Sequence, residues 1–210
     1  MTDPDGPPVE RMPFEQVEYW PELCRILRWS ITHAGSTMHI CWSAQAGLYY
    51  HYGIEKQVLS QKLSGIFSHT VCAPENPLMA GFDDVFTAPH SRYSAVETAG
   101  IRTIPELEIL AESGEAGVYA IWAKKRRQLF VLGHPEYDRD SLKKEYLRDL
   151  TADRGLRPPE HCFAEGDLNH PVPCTWRSGG LHCSLPTGWG FWPKRYILPY
   201  PVDLPGRLVV

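Results

Sequence analysis

The sequence has no C-x-x-C pair: its six cysteines stand singly at positions 24, 41, 72, 162, 174 and 183. A disulfide scaffold or a structural zinc site would bring cysteines together at short, regular spacings, so neither is expected, and a reducing cytosol is the compartment that fits. Long apolar stretches are missing as well. Runs such as Leu129–Leu132 are far too short to cross a bilayer, which takes about 20 residues. Met1 to Asp5 is acidic and lacks the basic-then-apolar signature of a secretory leader. There is no excess of positive charge: 21 basic residues against 25 acidic give −4 and a pI near 6.1, with no Lys/Arg block of the kind nucleic-acid binders carry. Internal repeats and low-complexity tracts are also absent. A cytoplasmic protein that uses neither membrane nor nucleic acid is the expectation.

What is present suffices for a core. The 210 residues are 43% apolar, enough for one folded domain. A helix is expected from near Phe14, with Val17, Trp20, Cys24 and Leu27 on one stripe and Pro21 near its first turns. Thr37 to Ile40 reads as a short strand running directly into Cys41 and a helix over Ser43 to Tyr50, ended by Gly53. Ala116 to Ala123 and Leu129 to Leu132 read as strands around the basic turn Lys124 to Arg127. Asp140 to Leu150 reads as a helix with Leu142, Tyr146 and Leu150 in register. Strands alternating with helices indicate an α/β sheet covered by helices.

Two stretches carry candidate chemistry. In His39-Ile40-Cys41-Trp42-Ser43-Ala44-Gln45 a strand turns into a helix at the cysteine. The helix N-terminus there favours a thiolate, and the N–H of Trp42 is placed to stabilise an oxyanion. The plainer reading makes Cys41 a buried small apolar residue. In Gly133-His134-Pro135-Glu136-Tyr137 a strand ends in an H-x-E pair, so His134 can deprotonate Cys41 while Glu136 orients the imidazole. The plainer reading is an exposed loop histidine beside a solvated glutamate.

The two stretches together resemble class I glutamine amidotransferases, and further segments narrow the resemblance. Pro8-Val9-Glu10 with Pro13-Phe14, Lys62-Leu63-Ser64-Gly65, Gly81-Phe82-Asp83-Asp84, Ala88-Pro89-His90-Ser91-Arg92, Leu107 to Ala111, Gly133 to Asp138 and Glu145 to Asp149 look like the homoserine O-acyltransferases of methionine biosynthesis. The resemblance runs from Gly6 to about Ser178. It implies a three-layer α/β/α sandwich of the amidotransferase, flavodoxin-like type, with residues 1–178 as the acyltransferase domain.

By that resemblance Cys41 is the acyl-thioester nucleophile, His134 the proton acceptor and Glu136 its orienting carboxylate. Lys62, Ser91 and Arg148 fall on substrate-contacting positions, and Glu145, one helical turn before Arg148, could receive an ammonium group. Motif-blind, Glu145 and Arg148 read as an ordinary surface pair. His90 is expected to shape its loop. L-homoserine and an acyl-CoA are the implied substrates, with no metal or prosthetic group, and the family tends to form homodimers. Glu10 is the implied discriminator: in the family a glycine there goes with succinyl-CoA and a glutamate with acetyl-CoA. A carboxylate in the pocket repels the succinyl terminus, since two like charges about 4 Å apart cost about 4 kcal/mol at an effective dielectric of 20. Acetyl transfer is therefore expected, with succinyl transfer the alternative within the enzyme class. A glutamine-hydrolysing subunit and a truncated, inactive remnant are the further rivals.

Two departures from the family are visible. Its members carry strands before the Pro-Val-Glu loop, so the sheet is expected to be incomplete on its N-terminal side, and Pro7 replaces a common alanine near the oxyanion site. After Ser178 the resemblance stops. Nine of the nineteen prolines lie beyond Arg157, and residues 177–210 read as irregular. Reading Leu181 to Gly190 in a shifted frame restores the family's Leu-Leu…Asn-Trp-Leu pattern, which points to a frameshift from about Gly179. Cys162, Cys174, Cys183, His161, His170 and His182 are accordingly not expected to ligate metal.

Overall fold

The computed structural model describes residues 9–151, 155–163, 167 and 208–209. The chain opens with 3-10 turns at Val9–Arg11 and Phe14–Gln16, followed by helix α1 (Trp20–His33). The helix expected from Phe14 therefore starts six residues later. Pro21 has no N–H to give to the preceding turn, so it is tolerated only in the first turn, where it sits. The buried stripe of α1 is accordingly Leu23, Leu27 and Ser30, with Cys24 only half-buried.

Strand β1 (Thr37–Ile40) leads through Cys41 into α2 (Trp42–Tyr52), which ends at Gly53 in the left-handed conformation that glycine adopts without strain. A long hairpin follows, β2 (Lys56–Val71) and β3 (Val85–Val96), then α3 (Thr98–Arg102), β4 (Leu107–Ser113), β5 (Gly117–Ala123), β6 (Gln128–Val131), α4 (Ser141–Asp149) and the two-residue β7 (Leu208–Val209). One sheet joins these strands in the order β3-β2-β4-β5-β6-β1-β7. The pairings from β3 to β6 are antiparallel, while β1 runs parallel to both β6 and β7.

Both faces of the sheet are buried at β6, which is why it reads as an apolar run. Phe130 and Leu132 pack with Ala44 and Leu48 of α2 and Ile101 of α3. Leu129 and Val131 point the other way, to Met38, Tyr119, Leu78 and Met79, the last two from a 3-10 turn at Pro77–Met79. Helix α1 lies on α2, with Leu23, Leu27, Phe14 and Ala46 in one apolar cluster. Among the described residues, no helix is long and apolar enough to cross a membrane. Pro7 and the span proposed to be frameshifted lie outside the described residues, apart from the backbone of Leu208–Val209.

Candidate active site

The parallel pairing of β1 with β6 assembles the site. Ile40 lies opposite Val131, so the two strands end side by side, and the N–H of Cys41 donates to the carbonyl of Val131 at 2.7 Å. Cys41 occupies the turn between β1 and α2 at φ 52°, ψ −114°, a strained conformation uncommon for a residue with a side chain. Gln45, one turn along α2, fixes this junction to β3: the Ser94 hydroxyl donates to its Oε1 at 2.8 Å and its amide donates to the Ser94 carbonyl at 3.2 Å.

His134 arrives three residues after β6. Its N–H donates to the carbonyl of Pro89 at 2.9 Å. The preceding Gly133 allows this close approach: a Cβ there would stand 2.6 Å from a Tyr119 ring carbon and 3.0 Å from the Pro89 carbonyl oxygen. The ring of His134 is bonded through Nδ1 to Glu136 Oε1 at 2.7 Å, and the Cys41 side chain is its other partner. Burial disfavours a charged imidazole, but hydrogen bonds and negative charge from Cys41 and Glu136 outweigh it and lift the His134 pKa to about 10. The three residues singled out as nucleophile, base and orienting carboxylate are thus in one chain of contacts.

The hairpin supplies the walls. Ser91 on β3 lies opposite Ser64 of β2, and its carbonyl is 3.8 Å from the Cys41 sulfur. The Ser91 hydroxyl is buried and has no hydrogen-bond partner among the described residues. The pairing of β2 with β3 slips between Val58 and Leu63, and irregularities of this kind re-aim side chains. Lys62 sits in this stretch, its side chain only 4% exposed, with its ammonium 2.6 Å from Asp149 and 3.4 Å from Glu145 of α4. Burial raises the Asp149 pKa, yet bonds from Arg148 and Lys62 more than compensate and hold it low.

Arg148 stands at the outer side of this group, 70% exposed, 2.7 Å from Asp149 and 3.5 Å from Glu145. The surface pair with Glu145 therefore exists, within a four-member network that includes Lys62. Glu10 lies in the 3-10 turn Val9–Arg11, which packs beside β3. His90 corrects an expectation: it is a fully buried strand residue of β3 and shapes no loop. Its Nε2 lies 2.9 Å from His69 Nε2, and Arg92 bonds its other nitrogen.

Three residues of the site had no role assigned from sequence. Tyr137 stacks on His134 and donates to Glu145, Asp149 shares Lys62, and Arg92 bonds the carbonyl of Leu132, two residues before His134. The buried Arg92 guanidinium donates to the carbonyls of Leu132 (3.1 Å) and Ala116. Burial lowers its pKa to about 10, against an upward pull from Cys41. Asp149 lies one turn beyond Glu145 on the same helix, a spacing that could have flagged it; no local pattern marks Arg92. Cys162 packs in an apolar cluster with Ile66 and Leu142.

Comparison with known proteins bears on this arrangement. The chain is 46% identical over 200 residues to a homoserine O-acetyltransferase of Lachnospira eligens, covering 94% of this chain and 63% of that one. It is 53% identical over 173 residues to a homoserine O-acetyltransferase of Thermotoga neapolitana, covering 82% of this chain and 57% of the relative. The chain thus spans about three-fifths of the length of these curated relatives. Solved structures with the same fold include a glutamine amidotransferase from Thermotoga maritima (12% identity, TM-score 0.55, 69% of this chain and 62% of that one). Another is a glutamine amidotransferase from Methylobacillus flagellatus (13% identity, TM-score 0.54, 71% of this chain and 55% of that one). These agree with the fold expected from the motifs. The family described as homoserine O-succinyltransferase matches residues 5–185, and the chain belongs to that family.

Proposed function

We propose that the chain carries the catalytic machinery of a homoserine O-acetyltransferase working through an acyl-thioester on Cys41. The observation that carries this reading is the chain of contacts Cys41–His134–Glu136, with the Ser91 carbonyl 3.8 Å from the sulfur. The relatives named homoserine O-acetyltransferase support the acetyl donor, as does the carboxylate of Glu10.

In the first half-reaction the Cys41 proton passes to His134 and the sulfur attacks the carbonyl carbon of acetyl-CoA. The Trp42 N–H, at the first position of α2, stabilises the oxyanion. The C–S bond to CoA breaks, and the departing sulfur takes the proton back from His134. This leaves an acetyl-thioester on Cys41, a nearly balanced exchange of one thioester for another. In the second half-reaction His134 takes the hydroxyl proton of homoserine, and the oxygen attacks the Cys41 thioester. The sulfur then leaves and recovers the proton, releasing O-acetylhomoserine.

The high pKa of His134 suits both steps. Acylation removes the charge and the hydrogen bond of Cys41, two of the influences that raise it, so the imidazole becomes able to accept a proton when homoserine arrives. Arg148 is suited to the homoserine carboxylate and Glu145 to its ammonium. No metal or prosthetic group enters this chemistry.

Turnover of L-homoserine with acetyl-CoA and with succinyl-CoA tests the reading. Preference for acetyl-CoA is expected, and preference for succinyl-CoA, or no transfer from either, would overturn it.

A further inference from the structure

Lys56, the first residue of β2, has no part in the steps above, yet its surroundings face the acyl donor's discriminator. Its ammonium lies 4.3 Å over the ring of Phe14 and 5.8 Å from the ring centre of Trp42, the residue that follows the nucleophile. It donates at 3.3 Å to the carbonyl of Val9, the residue that precedes Glu10. With Arg11, Met12, Phe14, Glu15, Tyr49 and others it lines an open cleft of about 290 Å³.

The charges around it are few and assignable. Burial pulls the Lys56 pKa down to about 8, while Glu10 and Glu15 act in the opposite sense. Glu15 is engaged by the Tyr49 hydroxyl, and Glu55 also lines the cleft. Arg11 is turned to the ring of Tyr93, 4.5 Å away. Lys56 is therefore tied, through the Val9 carbonyl, to the turn that carries Glu10.

Deleting Glu10 would remove a repulsion, but a carboxylate entering a half-buried pocket also needs a positive partner to offset its desolvation. From this geometry we propose that Lys56 is the second specificity determinant for the acyl donor: its ammonium is balanced by Glu10 when the donor is acetyl-CoA, and it receives the terminal carboxylate of a succinyl donor once Glu10 is replaced by glycine. The proposal rests on the acyl-transfer reading of the site and names a residue that reading does not contain.

The test compares the wild-type chain with Glu10→Gly, Glu10→Gly/Lys56→Gln and Glu10→Gly/Lys56→Arg. Two quantities are read for each: kcat/KM with acetyl-CoA and succinyl-CoA, and the affinity for each donor by calorimetry in the absence of homoserine. Glu10→Gly is expected to gain succinyl-CoA use. Adding Lys56→Gln is expected to lower succinyl-CoA affinity and kcat/KM by at least about tenfold relative to Glu10→Gly, the worth of a hydrogen bond between charged groups, with a smaller change for acetyl-CoA. Lys56→Arg, which keeps the charge, is expected to retain most of the gain. Equal succinyl-CoA affinity in Glu10→Gly and Glu10→Gly/Lys56→Gln, both with cooperative melts, would overturn the proposal. Absence of acetyl transfer by the wild-type chain would overturn the function reading, and the calorimetric comparison would still decide the role of Lys56.

Discussion

The ring of Tyr137 lies against the imidazole of His134, centroids 4.2 Å apart and planes 20° from parallel, while its hydroxyl donates to Glu145 at 3.3 Å. One side chain thus touches both the residue proposed as the base and the carboxylate proposed for the homoserine ammonium. Tyr137→Phe keeps the stack and loses the hydrogen bond, so the KM for homoserine should rise several-fold with kcat little changed. Tyr137→Ala also loses the stack, which for aromatic pairs is worth about 0.5–1.5 kcal/mol, so kcat should fall about two- to tenfold. Steady-state kinetics of the two variants check this; equal effects on KM and kcat in both would contradict it.

Glu136 is, after Cys41, the second residue that raises the His134 pKa. In Glu136→Gln the imidazolium should titrate below the wild-type value of about 10, as followed by NMR of the ring protons. The linkage has a defined sign. A group whose pKa rises from 6.5 to about 10 on folding contributes stability that is complete below pH 6.5 and disappears as pH climbs through 10. The stability advantage of wild type over Glu136→Gln, measured in urea, should therefore shrink across that window. An advantage that grows with pH would contradict the assignment.

Lys62 is a buried cation between two carboxylates. Lys62→Met leaves Asp149 and Glu145 facing each other without it and should cost about 3 kcal/mol, near the low end for a broken buried pair because α4 is partly open to water. Urea denaturation gives the value. A loss under about 1 kcal/mol would place Lys62 among solvated surface pairs instead.

Gly133 should not tolerate a methyl group. Gly133→Ala drives a carbon into the Tyr119 ring and the Pro89 carbonyl, so a loss of about 1–3 kcal/mol is expected, together with displacement of His134. A thermal melt combined with an activity assay measures both; wild-type values for each would contradict the packing described.

How far the sequence disclosed this molecule depended on how each element is built. β1, α2, β5, β6 and α4 were legible because apolar runs and an amphipathic pattern mark them, and because the turn at Cys41 sits between two of them. The β2–β3 hairpin was not read as strands. Its interior is polar: His69, His90 and Arg92 are buried and pair with one another, and no clean alternation survives in Lys56–Val71. For the same reason Arg92 was invisible as a support of the site. The early helix was misplaced because a good apolar stripe outweighed the proline within it. Cys41, His134 and Glu136 could be singled out because each sits just after a strand, and β1 and β6, running parallel, end at the same edge.

The most direct test is to incubate the protein with acetyl-CoA alone and to identify the modified residue by mass spectrometry of its peptides. One acetyl group on Cys41, discharged when L-homoserine is added and absent from Cys41→Ala, is the expected result. Acetyl transfer at the wild-type rate by Cys41→Ala, or turnover with Cys41 never acylated, would contradict the central claim.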